Sequence, residues 1–234
     1  MGECAAVIPA KDEGERIGRT VRAVASLPTV GAVIVVDDGS SDDTAQLARE
    51  AGADVVVHAS NRGKAAAMMT GAEHAWAAGH TDAPVLFVDA DLEDSAVELG
   101  VLIDPVLSRQ ADLTIAVLPP QTSAGGGRGF VVRLSRKGIR ALTGYEAQQP
   151  LSGMRCMTRA AYAAAQPFAR GWGVETAMTI DVLRAGLVVR EVPCQLHHRV
   201  TGADWRGQMH RAAQYRDVAL ALAVRRLRHR RVER

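Results

Sequence analysis

Aromatic side chains are scarce, at 4% of the 234 residues, so a core here has to be assembled mainly from Ala, Val and Leu. Charge of one sign is also lacking. The formal net charge is +2, which names no polyanionic or polycationic partner. Cysteines number three (Cys4, Cys156 and Cys194), odd in count and widely spaced. That argues against a disulfide framework and a zinc site, and fits reduced thiols in a cytosolic protein. No run approaches the ~20 consecutive apolar residues needed to span a bilayer. The start, Met1-Gly2-Glu3-Cys4, has no basic segment followed by an apolar one, so no secretion signal is expected. Internal repeats are absent, and the one biased tract is the arginine-rich tail. The expected location is the cytoplasm, with the inner membrane surface as the one peripheral alternative.

What is present is alternation. With 47% hydrophobic and 23% charged residues, the composition is that of an ordinary globular chain, long enough for a sizeable core. Ala5–Ile8, Val33–Val36, Asp54–His58, Val85–Val88 and Leu113–Leu118 read as short apolar strands. Helical patterns lie between them, at about 15–27, from Ser41 (a candidate cap) onward, and at 65–78. Continuous apolar strands alternating with helices predict a mostly parallel sheet covered on both faces. The second half is less regular. A Pro/Gly-rich loop at 119–129 is followed by helices near 131–142, 158–165 and 174–185, a strand at 188–196, and a basic helix over about 207–228. The whole chain, 1–234, is expected to be one domain.

Ligands of such sheets bind at the carboxyl ends of the strands, and the acidic residues collect there. Asp89-Ala90-Asp91 follows the strand Val85–Val88 directly. Two carboxylates one residue apart can approach one hard divalent cation that bridges diphosphate oxygens. The plain alternative is a pair of solvated acids in a turn. Asp37-Asp38-Gly39-Ser40 repeats the arrangement at a second strand end, where a carboxylate can accept hydrogen bonds from a base or ribose. Asn61-Arg62-Gly63-Lys64 joins a strand to a helix, where a cation and free N–H groups favour phosphate. It lacks the spacing of a P-loop. Gly125 to Gly129 lacks the strand-to-helix setting of a dinucleotide fingerprint and reads as a loop over the site. Glu175 opens a helix, either to bind sugar hydroxyls or simply to favour the helix dipole.

Taken in order, Pro9-Ala10-Lys11-Asp12-Glu13, Val36 to Ser40, Asn61 to Lys64 and Asp89-Ala90-Asp91 resemble the motifs of the family 2 glycosyltransferases, over about residues 5–120. Gln149-Pro150-Leu151-Ser152-Gly153, Gly171-Trp172-Gly173-Val174-Glu175 and His198-Arg199 are similar to bacterial glucosyl-3-phosphoglycerate synthases and, more distantly, dolichyl-phosphate mannosyltransferases. The resemblance implies an α/β fold of the GT-A type. A nucleotide-sugar-binding half would span about 1–120 and a smaller acceptor-side half about 121–206, closed by the basic helix 207–234. It implies a hexosyltransferase using a nucleotide-diphosphate sugar, UDP before GDP, with Mg2+ or Mn2+. Asp91 and His198 would hold the metal, with Asp89 assisting metal and ribose. Pro9, Ala10, Lys11, Glu13, Asp38, Gly63, Lys64 and Ala90 would line the nucleotide site, Lys64 at the phosphates. Ser152 and Gly153 would lie near the transferred sugar, with Glu175 beside them. The acid that follows the Ser-Gly pair in the synthases is replaced here by Met154-Arg155.

No late Glu-Asp pair or Gln-x-x-Arg-Trp motif supplies the general base of many inverting relatives, and Glu93-Asp94 sits too close to the metal motif to serve. Either an anionic acceptor needs no base, or configuration is retained; retention is slightly favoured. The acceptor is then a small phosphorylated or carboxylated molecule or a polyprenyl phosphate. The C-terminal helix carries arginines beside Val218, Leu220, Leu222 and Val224, and reads first as a core-packing helix and second as a membrane-surface contact. A homodimer is compatible with these features, and no nucleic-acid motif accompanies the charge. Two rivals stand beside this reading. A sugar nucleotidyltransferase would need a Gly-rich, Arg-containing loop after the first strand. A non-catalytic nucleotide-sugar- or partner-binding protein would not need every site residue.

Overall fold

The computed structural model describes residues 3–119, 129–196 and 205–232. The first half alternates as its apolar runs require: β1 (Cys4–Ala10), α1 (Gly14–Ala25), β2 (Val30–Asp37), α2 (Thr44–Glu50), β3 (Asp54–Val57), α3 (Lys64–Ala77) and β4 (Val85–Phe87). A 3-10 segment, Glu93–Leu99, leads into α4 (Gly100–Leu107) and β5 (Leu113–Val117). Then come α5 (Phe130–Thr143), β6 (Arg155–Met157), α6 (Arg159–Ala164), a 3-10 turn at Gly171–Gly173, α7 (Val174–Arg184), β7 (Val189–Pro193) and α8 (Trp205–Val232).

The strands form one sheet in the order β3-β2-β1-β4-β6-β5-β7. All neighbours are parallel except β6, which runs antiparallel between β4 and β5. The sequence pattern had not marked β6, a three-residue strand containing an arginine. Ser41 does not cap α2 either. Its N–H and hydroxyl both donate to Asp12 Oδ1, while the Thr44 N–H donates to Asp42 Oδ1.

Side-chain alternation along the strands feeds two cores, one on each face. Ile8, Val35, Leu86 and Val88 pack with Ile17, Val21 and Val24 of α1 and with Leu102 and Ile103 of α4. Val7, Ile34, Val36, Phe87 and Ile115 pack with Ala67, Met68 and Ala72 of α3 and with Val174, Met178 and Val182 of α7. The small residues of α3 allow a close approach: a Cβ on Gly71 would lie 2.3 Å from Val7 Cγ1. Four of the nine aromatics gather on this face, where Trp76 meets Tyr162 edge-on at 4.6 Å, Tyr162 meets Phe168 at 5.1 Å, and Phe168 meets Phe87 at 6.3 Å.

A third cluster joins α5, α7 and α8 through Ile139, Ile180, Val218 and Leu222. Val218, Ala221, Leu222 and Arg225 form a buried stripe at helical spacing. Arg225 Nε and Nη2 both donate to Asp181, and a Cβ on Gly138 would lie 2.3 Å from Leu222 Cδ2. The first expectation for this helix, core packing, therefore describes its inner face. The outer face leaves Leu220 59% exposed, against 3% for Leu222.

That contrast is measurable. Leu222→Ala should lower the unfolding free energy by about 2–5 kcal/mol, whereas Leu220→Ala should stay within about 0.5 kcal/mol, both read from urea denaturation. Equal small losses would show that α8 is not part of the core.

Candidate functional site

The carboxyl ends of β1, β2 and β4 and the first turn of α3 surround a cleft of about 440 Å³. Pro9, Ala10, Lys11, Glu13, Asp38, Gly63, Lys64, Asp89, Ala90 and Asp91 all line it, together with Asn61, Ala67 and Trp172. Every residue that the sequence assigned to the nucleotide, and Asp91, therefore faces one space. Ser152, Gly153 and Glu175 adjoin it from the second half. His198 lies outside the described residues.

The wall formed by the first two loops is stitched by polar contacts. Lys11 Nζ donates to the Gly39 carbonyl at 2.7 Å, Asp12 N to Ser40 Oγ at 2.9 Å, and Glu13 N to Thr44 Oγ1 at 2.8 Å. Glu13 also pairs with Arg16 at 2.9 Å. Gly39 adopts φ 71°, and a Cβ there would sit 2.9 Å from the Ser60 carbonyl carbon, so both the turn and the approach of the next loop call for glycine.

Asp38 organises that next loop. The residue is 5% exposed, and its carboxylate accepts from Arg62 N at 2.8 Å, Gly63 N at 2.7 Å and His58 Nδ1 at 2.7 Å. Burial works against the charge, but these donors outweigh it and hold the Asp38 pKa below the ordinary carboxylate range. His58 Nε2 faces Thr70 Oγ1 at 3.0 Å, which completes a buried chain from the cleft to α3. Asp38 thus spends its two oxygens mainly on shaping the Asn61–Lys64 turn.

At the base of the cleft Lys64 Nζ donates to Asp89 Oδ1 at 2.8 Å and lies 3.4 Å from Glu175 Oε1. Burial would depress the ammonium, but Asp89 and then Glu175 overcome it and raise the Lys64 pKa well above its usual value. Glu175 is 4% exposed in the first turn of α7, aimed at the ammonium. Gly153 closes the other side. A Cβ there would meet Lys64 Nζ at 2.5 Å and Asp89 Oδ1 at 2.8 Å, so this contact requires a residue without a side chain. The neighbouring Ser152 Oγ is buried without a hydrogen-bond partner among the described residues.

Three contributors were not read from the sequence. Arg155 is fully buried; it donates from Nε to the Ser152 carbonyl at 2.8 Å, from Nη2 to the Pro150 carbonyl at 3.0 Å, and from Nη1 to Thr179 Oγ1 at 2.9 Å. Burial lowers its pKa to about 10, opposed by the fields of Glu175 and Glu191. Arg155 therefore anchors the Pro150–Gly153 turn to α7. Thr20 and Trp172 are the others. Trp172 is 40% exposed on the cleft wall, and its N–H donates to Asp217 of α8 at 3.2 Å. The aromatic residue between two glycines was a usable signal for Trp172; a threonine in an apolar helix face and an arginine in a strand were not.

Asp89 and Asp91 offer hard oxygen donors at one strand end. Among the described residues no cluster of three His, Cys, Asp or Glu residues forms. Two carboxylates suit a divalent cation that keeps water and phosphate oxygens as its remaining ligands, and so fit Mg2+ or Mn2+.

Comparison with known proteins identifies the family and the fold. The profile of Glycosyl transferase family 2 matches residues 5–163. Glycosyltransferase AglJ of Haloferax volcanii is 32% identical over 180 residues; the match covers 74% of this chain and 56% of that protein, so the chain spans just over half the length of this relative. The crystal structure of glucosyl-3-phosphoglycerate synthase from Mycobacterium tuberculosis with Mn2+, UDP and glucosyl-3-phosphoglycerate superposes with a TM-score of 0.73 at 28% identity, covering 96% of this chain and 80% of that one. The same enzyme with Mg2+ and UDP gives a TM-score of 0.75 at 26% identity, covering 96% and 79%. The fold is that of these GT-A enzymes, and the chain belongs to glycosyl transferase family 2.

Proposed function

We propose that this glycosyltransferase moves a hexose from a UDP-sugar, with GDP as the second choice of nucleotide, to an anionic acceptor, using Mg2+ or Mn2+. The observation that carries the reading is the convergence of Asp89, Asp91 and Lys64 on one cleft whose walls are the strand-end peptides. A volume of about 440 Å³ falls within the range of small-ligand sites. Asp89 and Asp91 would hold the cation, with His198 added by resemblance. The cation would supply Lewis-acid charge to the leaving nucleoside diphosphate. Lys64 adds a fixed positive charge at the same end of the cleft, and charge aimed where it develops in the transition state accelerates transfer. Asp38, by holding the Arg62 and Gly63 N–H groups, fixes the turn that would bring Lys64 to the phosphates. Ser152, whose hydroxyl is buried and unpartnered among the described residues, is suited to a sugar hydroxyl, and Gly153 leaves room for the close contacts around it.

Retention of configuration is favoured over inversion. Glu93 and Asp94, the one acidic pair near the motif, are both tied to Arg19. Glu175 is engaged by Lys64. Neither provides an unengaged base for an acceptor hydroxyl. A phosphorylated or carboxylated small molecule agrees with the phosphoglycerate chemistry of the structural neighbour.

The outer face of α8 supports the alternative acceptor, a polyprenyl phosphate at a membrane surface. Leu220, Val224 and Leu227 are 59%, 42% and 64% exposed at helical spacing, flanked by exposed Arg226 and Arg228. From Ala212 to Arg228 the only acid is Asp217, whose side chain is 15% exposed. Paired copies would set like charges against each other across a two-fold axis, whereas anionic headgroups complement them. No helix among the described residues is long and apolar enough to cross a membrane.

Two measurements test these readings. Saturating UDP with Mn2+, at ~100 times its dissociation constant, should stabilise the protein by about 2.7 kcal/mol, a Tm shift of roughly 5–10 °C. Asp91→Ala should remove the metal-dependent part and cut transfer by about a hundredfold or more. An unchanged shift and rate in that variant would defeat the metal assignment. In vesicle flotation with anionic lipid, the parent should float and the triple variant Leu220→Ser, Val224→Ser, Leu227→Ser should remain behind; equal recovery of the two would remove the lipid-linked acceptor.

A further inference from the structure

Thr20 is the one hydroxyl in the buried stripe Ile17, Thr20, Val21 and Val24 of α1, and it is fully buried. Its Oγ1 lies 2.8 Å from the Ala90 carbonyl oxygen and accepts from the Glu93 N–H at 2.9 Å. A hydroxyl has one proton to donate, so the shorter contact has Thr20 donating to Ala90; the Arg16 carbonyl of its own helix is farther away, at 3.4 Å. One side chain thus grips the peptide between two acidic residues and the backbone just beyond them.

Ala90 itself is 6% exposed and belongs to the α1 side of the core. The carbonyl of the middle residue of Asp89-Ala90-Asp91 is therefore anchored to α1, while all three residues line the cleft. Downstream, Glu93 adopts φ 50°, a left-handed conformation that a glutamate rarely takes without support. Support comes from the same helix: Arg19, next to Thr20, pairs with both Glu93 and Asp94. The segment after β4 is consequently tied to α1 at Ala90, Glu93 and Asp94.

We propose that Thr20 is a positioning residue for the divalent-cation site, setting the spacing and direction of Asp89 and Asp91 through its two backbone hydrogen bonds. The inference rests on the reading that these carboxylates hold a cation. Groups that orient metal ligands from behind commonly change metal affinity by 10–100-fold when removed.

The test is Mn2+ binding, read as the loss of the free-ion EPR signal in the presence of UDP, so neither acceptor nor turnover is needed. Thr20→Val keeps the shape and removes both hydrogen bonds, and should weaken Mn2+ binding by about tenfold or more. Thr20→Ser should return it to within about threefold of the parent, because the hydroxyl is restored. Thr20→Ala, which adds no methyl group against Ala90, serves if the valine variant does not fold, and carries the same expectation. Parent and hydroxyl-free variants binding Mn2+ alike would overturn the proposal while leaving the cation site intact. Equal weakening in Thr20→Ser would assign the effect to packing of the γ-methyl, and would also overturn it. A parent that binds no Mn2+ with UDP would bring down the cation reading itself, and this inference with it.

Discussion

The architecture of the cleft turns on the contact between the Lys64 ammonium and the Asp89 carboxylate. Lys64 opens α3 and Asp89 ends β4, so their 2.8 Å approach pins a helix start to a strand end. Glu175 adds a third element, α7, from beneath. Both Lys64 and Asp89 side chains are about a third exposed, so the pair is screened and contributes little to global stability. Its importance is geometric. It fixes where a positive charge stands relative to two carboxylates, and Gly153 is held bare so that the pair can close.

Around this contact the protein uses backbone-directed side chains to hold irregular chain. Asp38 grips the Asn61–Lys64 turn, Arg155 grips the Pro150–Gly153 turn, and Thr20 grips the segment after β4. In each case a buried polar side chain satisfies loop N–H or C=O groups that no ladder could reach, as burial demands. Half-buried Glu191 likewise accepts from the Gln148 and Gln149 N–H groups, at 2.8 Å each. The burial of Glu191's neighbour Tyr145, followed by the field of that carboxylate, raises the phenol to about 12 and keeps it neutral. The strands are largely apolar; much of the polar chemistry of the interior serves the loops, while the Arg225–Asp181 and Ser135–Thr176 contacts join helices.

This division explains what could be read from the sequence. Strands such as Val33–Val36 and Val85–Val88 declare themselves by continuous apolar runs, and ligand residues at their ends follow from the geometry of parallel sheets. That geometry places Asp89, Asp91 and Asp38 on the cleft, and Lys64 joins them from the first turn of α3. Arg155 was not legible, because a charged residue at a buried strand position contradicts hydrophobic patterning until its carbonyl partners are known. Thr20 was invisible for the opposite reason, since a β-branched residue suits an apolar helix face. The sequence assigns Asp38 to the nucleoside, but its engagement with two backbone N–H groups and His58 depends on a loop conformation that periodicity does not encode.

The antiparallel strand β6 has a consequence for how the chain acquires its form. It enters the middle of the sheet between β4 and β5, both of which leave the ribosome first. Until it arrives, β4 and β5 each expose an unpaired edge, with apolar side chains above and below. Such edges invite pairing with other chains, and contacts distant in sequence form slowly. A nascent chain stalled before Arg155 would therefore carry β4 as the bare edge of a four-stranded sheet and β5 without either of its neighbours, a natural point for a chaperone to act.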